Sequence, residues 1–540
     1  PWVTAFSVQD FLNDNFVYFT GPLDARTGDL NQDVIAAEGY DYLWSYVDVA
    51  QFALYIQDEW QVNDKLNLTF GLRMDIPIYY NEIAETTGTL EMANFTGWKD
   101  ENGEAVQINP ANWPEAKPLW SPRFGFNYDV KGDQTMQIRG GTGIFSGRIP
   151  FVWLGNQSSN AQMLPGYSFQ VNASARDFRW PQVWKNNIAL DWKFSEGWLL
   201  TLETMLGKDI NAVVHRNYNM APPSANLTGT GDNRAIFAGF PEVNIYSASA
   251  NSIGFLDAGM IVLDNSNKGR QFTFTTKLAK KWDFGLKVDA AYTYMDSKDF
   301  TSIPAEIAAD AFQRNPVVGN PNMPEYSWSR YGLQHRFIAS AMYRKEYGRF
   351  ATTVGLFYER AKGNRYSYVY AGDLNGDAIN NNDLLYVPTN SSDINFGTVD
   401  DNGDATVAPN ATAQWNALDA FIEQDPYLST RRGKYAQRNG ATLPWFSQLD
   451  IKIIQDVNIK INESNHKFQL SLDILNFGNM INSNWGVRQF ASTFTPLTVN
   501  GVDKNGVPYF TFDQNLKNSY IDDVLLASKW QLQFGIRYIF

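Results

Sequence analysis

Residues 528–540 read SKWQLQFGIRYIF. From Trp530 every second residue is large and apolar (Trp530, Leu532, Phe534, Ile536, Tyr538, Phe540), and between them stand Gln531, Gln533, Gly535, Arg537 and Ile539. A period of two over this length predicts a β-strand with one apolar and one largely polar face. An amphipathic strand packed on a soluble core would alternate in the same way. Two things separate the alternatives: whether the rest of the chain repeats the pattern, and the ending on an aromatic residue without a polar tail.

At 540 residues and 44% hydrophobic content, the chain could form several domains or one large barrel. Its mean hydropathy is negative, and no stretch approaches the ~18 consecutive apolar residues of a membrane-spanning helix. A barrel crosses a bilayer without that signal, because only alternate residues meet lipid. Aromatics make up 15%, with 17 Trp and 27 Tyr, which suits interfacial girdles and also sugar-binding surfaces. Cysteine is absent, removing disulfides, thiolate catalysis and cysteine-ligated zinc. The net charge of −13 argues against nucleic acid as a partner. Residue 1 is Pro, with neither a signal peptide nor a starting Met, which predicts a processed or truncated chain.

The alternation recurs. Residues 47–60 (VDVAQFALYIQDEW) place Ala50, Phe52, Leu54, Ile56 and Trp60 on one face and Gln51, Tyr55, Gln57 and Glu59 on the other. After a turn at 62–64, residues 65–79 set Leu66, Leu68, Phe70, Leu72, Met74 and Ile76 against Asn67, Thr69, Gly71, Arg73 and Asp75. This is a hairpin with one apolar side. Further hairpins are predicted at 119–130 with 134–146, 183–194 with 198–208, 269–279 with 282–296 (turning at Ala279-Lys280-Lys281), 333–344 with 349–360 (turning at 345–348) and 445–457 with 466–476. With the terminal strand this makes thirteen. Long connections at 80–118, 147–180, 209–268, 297–332, 361–444 and 477–527 alternate strictly with the tight turns. Short turns at one end and long surface loops at the other describe a transmembrane antiparallel β-barrel of all-β class. Trp60, Trp192, Trp198 and Trp282 lie beside the short turns, where an interfacial belt belongs. Within the longest loop, 411–424 (ATAQWNALDAFIEQ) reads as an amphipathic helix stopped before Pro426. Segments 366–370, 485–499 and 509–512 read as strand extensions beyond the membrane.

The aromatic ending resembles the C-terminal assembly signal of bacterial outer-membrane barrels. Longer segments resemble one family: 56–77 (IQDEWQVNDKLNLTFGLRMDIP), 120–153, 372–388 (GDLNGDAINNNDLLYVP), 421–441, 472–486 (LDILNFGNMINSNWG) and 530–540. Together, over residues 45–540, they are similar to the TonB-dependent outer-membrane receptors of Bacteroidota, in the Oar-like group with a carboxypeptidase-regulatory-like domain ahead of the plug. The resemblance implies a bacterial outer-membrane location and a barrel of about 22 strands, occluded by an N-terminal plug with a TonB-binding box. On this reading residues 47–540 are the C-terminal 13–14 strands, and residues 1–46 are an extracellular loop with one preceding strand at 15–20. The expected function is import of a nutrient such as a peptide, glycan or chelate. The alternative is a structural or secretion-associated barrel serving as a platform for partner proteins. Expected partners are outer-membrane lipid, the missing N-terminal plug and strands, TonB through that missing part, and a surface lipoprotein.

The best candidate site is Asp373, Asn375, Asp377 and Asp383. Oxygen side chains at alternate positions converge when a loop curls, as a hard cation such as calcium requires. A standard loop would carry Gly at its sixth position, where Ala378 stands, and a carboxylate at the twelfth, one place after Asp383. An Asx-turn-rich loop without metal is the alternative. Weaker echoes are Asp29, Asn31 and Asp33, and Asp400, Asp401, Asn402 and Asp404. No enzyme signature is found. His215, His335 and His466 have no metal-site spacing and read as surface or rim residues, while Gly140, Gly141 and Gly143 read as small residues on a strand facing a crowded lumen, not a phosphate loop. Arg73, Asp75, Arg123, Asp129, Arg139, Lys185, Asp191, Lys287 and Asp289 are expected to face the lumen. Trp113, Trp153, Tyr326, Trp328, Arg431 and Arg432 could bind a ligand or a partner protein, or pack between loops.

Strand direction yields one more expectation. The first and last of thirteen strands both descend, so the chain should form an arc with two unpaired edges, completed by an N-terminal part outside residues 1–540.

Overall fold

The computed structural model describes residues 2–4, 17–19 and 47–540, except 84, 86, 163–170, 240, 247–258, 304, 306 and 462–463. Its frame is one antiparallel sheet of thirteen strands paired in chain order. They are β1 (Val49–Asn63), β2 (Leu66–Tyr79), β3 (Leu119–Asp129), β4 (Met136–Ser146), β5 (Gln182–Ser195), β6 (Trp198–Asn217), β7 (Gly269–Lys281), β8 (Leu286–Asp299), β9 (His335–Tyr347), β10 (Phe350–Ala361), β11 (Phe446–Ile461), β12 (Ser464–Leu475) and β13 (Gln531–Ile539). Among the described residues no strand pairs with the free side of β1 or of β13. Val17–Phe19 pairs with Trp2–Thr4, not with the sheet.

The register explains how alternation within a strand becomes a surface. Phe52 faces Ile76, Leu54 faces Met74 and Ile56 faces Leu72; Leu72 then faces Pro122, Phe70 faces Phe124 and Leu68 faces Phe126. At the far end Leu472 faces Phe534 and Leu470 faces Ile536. Because side chains alternate with period two, a slip of one residue anywhere would carry a strand's apolar set to the wrong face. These residues enter no core: Leu54, Ile56, Phe534 and Ile536 are all exposed. That exposed apolar surface is the lipid-facing side of an outer-membrane barrel.

The outward face of β7 gives its height. It reads Arg270, Phe272, Phe274, Thr276, Leu278, Lys280, charged only at the two ends. Ten residues at about 3.3 Å rise, on a strand tilted about 40°, span about 25 Å of membrane normal, the height of the apolar band of such barrels. Beside the short turns, rings follow one another from Trp192 through Phe194, Trp198, Trp282 and Phe284 to Tyr343, with centroids 5.3 to 6.3 Å apart. Lys280 lies over both Trp198 (4.6 Å) and Trp282 (4.8 Å). This is the interfacial belt at the short-turn end.

Several boundaries differ from the pattern-based reading. β7 runs through Ala279-Lys280-Lys281, and the turn falls at 282–285. Gly285 takes φ +101, and Trp282 N–H donates to Leu286 O at 2.9 Å, so the residue able to adopt positive φ sets the turn. The next hairpin likewise turns at Gly348, with φ +59. β6 continues to Asn217 because Met260–Ser266 pairs with it beyond the membrane. Of the segment 485–499, only Gln489–Ala491 and Leu497–Val502 are extended; the latter pairs with Pro508–Phe512 and, in parallel, with Tyr370–Ala371. The helix occupies Ala411–Gln424 as expected. Gly141 and Gly143 face inward, but Gly140 faces outward, where a Cβ would meet the ring of Phe126 at 2.9 Å.

Phe274 lies mid-height on the outward face, so Phe274→Arg should destabilise the protein in bilayers by about 2–4 kcal/mol. Thr275→Arg, on the inward face, should cost far less. Denaturant unfolding in lipid vesicles compares the two, and equal costs would contradict the facing.

Candidate functional site

At the long-loop end the connections fold against one another. One core gathers Tyr366, Tyr368, Tyr370, Leu418, Phe421, Leu497 and Phe510 from the loops after β10 and β12, with Leu227 from the loop after β6. A second joins Trp98, Trp153, Trp180, Tyr218 and Met260 from the loops after β2, β4 and β6. Hydrophobic packing alone leaves such loops free to slide. Three buried arginines tie them together.

Arg234 is fully buried, with Asp232 and Asp383 beside it at 2.8 and 2.9 Å. Its Nη2 donates to Leu384 O at 2.5 Å, and the rings of Tyr370 and Tyr435 lie 5.1 and 5.4 Å from its guanidinium carbon. Tyr435 Oη donates to Asp232 at 2.9 Å. Burial works against the Arg234 charge, but Asp232 and Asp383 outweigh it and hold the group above its ordinary pKa. Arg438 donates to Asp299 Oδ1 and to Asp299 O, both at 2.7 Å, pinning the loop after β10 to the top of β8. Arg216 reaches Asp264 at 2.9 Å, Glu101 at 3.0 Å and Asn322 O at 2.8 Å, joining the connections after β6, β2 and β8. The sequence reading missed all three, because their partners lie up to 150 residues away.

The acidic loop meets this framework at Asp383. Asp373 accepts from the backbone N–H groups of Gly376 (2.7 Å) and Ala378 (2.9 Å). Asp377 accepts from Ile379 N–H and from the Asn382 side chain, both at 2.8 Å. The second Asp383 oxygen accepts from Leu374 N–H at 2.8 Å. Asn375 donates to Asp377 at 3.2 Å. Asp373, Asn375, Asp377 and Asp383 are thus neighbours in one turn, with their oxygens on local donors except for the Asp383 oxygen held by Arg234. Among the described residues no three acidic or histidine groups form a ready metal cage. Ala378 has φ +67 and Asn381 φ +63, a conformation costly for alanine. Burial, then repulsion from Asp383 and Asp373, pushes the Asp377 carboxyl up to about 8; burial and Asp383 likewise raise Asp373.

Of the weaker echoes, Asp400 closes a tight turn by accepting from Asn402 and Asp404 N–H. Asp404 pairs with Lys504 at 2.6 Å, and Asp29, Asn31 and Asp33 lie outside the described residues. His335 and His466 bond tyrosine hydroxyls on the outward face. His215, expected at a surface or rim, is instead buried against Trp153, ring to ring at 4.9 Å, because the β6 extension it lies on is roofed by the loop after β4. Trp113 stacks on Tyr79, Trp328 lies under Arg365, Arg431 donates to Tyr435 O and Arg432 pairs with Asp419, so these residues pack between loops. Tyr326 is exposed.

The inward face is ionic. Arg73 pairs with Asp75 at 2.7 Å, Arg139 with Asp191 at 2.8 Å, Lys277 with Asp289 at 3.1 Å, Arg344 with Asp456 at 3.0 Å and Lys452 with Asp473 at 2.7 Å. Asp129 instead caps its short turn, accepting from Gly132 and Gln134 N–H.

A continuous polar wall behind a lipid-facing band is the architecture of an outer-membrane β-barrel. The chain belongs to the outer membrane beta barrel domain family, whose model matches residues 45–163 and 150–498, and its location is the outer membrane. No curated protein matches it. Among solved structures it is similar to the FrpB iron transporter of Neisseria meningitidis (10% identity, TM-score 0.40, 85% of this chain and 46% of that one). It is also similar to a mutant of the ferric enterobactin receptor PfeA of Pseudomonas aeruginosa (9%, 0.41, 91% and 44%). A third is the siderophore receptor PiuA of Acinetobacter baumannii (10%, 0.36, 90% and 43%). The chain spans less than half the length of these three.

Arg234→Met leaves Asp232 and Asp383 buried without their cation and should cost about 3–5 kcal/mol, read as protease cleavage in the loops after β6 and β10 while the sheet stays folded. A carboxyl raised from about 3.9 in the unfolded chain favours the folded loop at low pH and loses that contribution as pH rises toward 8. Amide exchange across 370–388, corrected for its intrinsic pH dependence and measured with chelator, should therefore be slower at about pH 5 than at about pH 8. Asp377→Asn should flatten the difference.

Proposed function

We propose that this chain is the barrel part of a TonB-dependent-type outer-membrane transporter that imports a nutrient ligand. The observation that carries this reading is the ion-paired inward face. A barrel of at least thirteen strands is wider than its own side chains can fill, so a wall lined from Arg73–Asp75 to Lys452–Asp473 encloses an aqueous path or a second polar element seated in it. A plug preceding residue 1 supplies that element, together with the strands that close the edges of β1 and β13 and the segment that engages TonB. The long loops then face the exterior, and their packed shell offers the ligand surface. Uptake tests the proposal: cells whose growth on one peptide, glycan or chelated metal requires this gene should lose that growth when TonB is inactivated. TonB-independent growth, with stoichiometric recovery of a surface lipoprotein on the barrel, would establish a platform for partner proteins instead.

We further propose calcium at Asp373, Asn375, Asp377 and Asp383. The supporting features are the gathering of these side chains in one turn and the positive φ of Ala378 at the position where curled calcium loops carry glycine. A cation would offset the repulsion among the carboxylates. Calcium should protect the chain between about Tyr370 and Pro388 from protease, and Asp373→Asn with Asp377→Asn should abolish that protection. Identical cleavage with calcium and with chelator would leave a turn alone.

A further inference from the structure

On β6 and β7 the outward face is uncharged between its ends, but at the long-loop end it carries cations in a row. Lys208 on β6 lies directly across from Arg270 on β7, and Arg270 lies directly across from Lys298 on β8. Three like charges on adjacent strands, about 4.8 Å apart in backbone spacing, repel one another. Little on the protein answers them. Asp296 is the one carboxylate on this face nearby, 4.0 Å from Arg270, and among the described residues Lys208 and Lys298 make no ion pair. Lys298 lies over the Trp328 ring at 4.6 Å, and Arg365 stacks on the same ring at 3.9 Å, adding a further cation. Beside Lys208 opens a cavity of about 660 Å³, whose outward wall is Phe124, Thr142, Ile144 and Trp184.

We propose that Lys208, Arg270 and Lys298 form a docking surface for the phosphate groups of lipid in the leaflet at the long-loop end, with a hydrocarbon chain lying in the adjacent groove. Three observations select lipid over a soluble anion. The row borders the lipid-facing band directly on β6 and β7, with Asp296 between on β8; it stands at the height where that band ends and headgroups begin; and the groove beside it is largely apolar on its outward wall. Phosphate between the cations turns their mutual repulsion into charge-assisted hydrogen bonds, and a basic cluster at a bilayer surface attracts anionic headgroups. This surface is separate from any lumenal path, since the three residues point away from it.

The test uses full-length protein purified from outer membranes and placed in phosphatidylcholine nanodiscs with or without phosphatidic acid. Phosphatidic acid should raise the melting temperature. Lys208→Gln, Arg270→Gln and Lys298→Gln combined should lose at least half of that rise, whereas Lys280→Gln at the opposite belt should keep it. Should the triple variant fail to fold, Arg270→Gln alone decides by the same readout. A rise retained in full by the variant, no rise in the native protein, or an equal rise produced by inorganic phosphate in detergent would each overturn the proposal.

Discussion

In hydrocarbon there is no water to accept a backbone N–H or donate to a carbonyl, and each group left unpaired costs several kcal/mol. The thirteen-strand antiparallel ladder answers that constraint, and the other features of the sheet follow from it. Once strands are paired in register, alternate residues belong to one face for the width of the sheet. Leu54 on β1 and Phe534 on β13 therefore present the same lipid-facing surface. The other face can then be ionic, because it never meets lipid. Charges such as Asp75 and Asp456, each almost wholly buried, are answered there by an arginine and a glutamine apiece.

Beyond the membrane the ladder no longer organises the chain, and the loops need their own means of settling into one arrangement. They use apolar cores for cohesion and buried arginines for placement. Desolvating Arg234 is expensive, and a buried ion pair is weak evidence of net stability. What the pair contributes is selectivity: Arg234 is satisfied only when the loop after β6 lies against both Asp383 and Leu384 O of the loop after β10. Arg438 and Arg216 impose similar conditions elsewhere.

The acidic loop lies where these two systems meet. Asp383 is shared between Arg234 and the backbone of the turn, so the geometry around Asp373 and Asp377 is coupled to the anchoring of the whole shell. Loss of the charge on Asp383 would therefore weaken the attachment of one loop to another as well as the turn itself.

The strands were legible because lipid and lumen impose period two on residues only a few positions apart, and the helix at Ala411–Gln424 because its amphipathic period and the halt before Pro426 are equally local. The side-by-side placement of Asp373, Asn375, Asp377 and Asp383 was legible for the same reason. Turn positions were read less well: the bend between β7 and β8 falls at 282–285, where Gly285 takes positive φ, and not at Ala279-Lys280-Lys281, a choice of backbone conformation that hydrophobic pattern does not report. His215 was misread because its burial comes from a roof contributed by another loop. The sequence alone was enough for an outer-membrane barrel, the thirteen strands between residues 47 and 540 and which face of each meets lipid, Gly140 excepted. Only the tertiary structure decided which loops touch, that Arg216, Arg234 and Arg438 hold them, and that Lys208, Arg270 and Lys298 stand in one row. Those are relations between residues far apart in the chain, set by register and packing, and no local period records them.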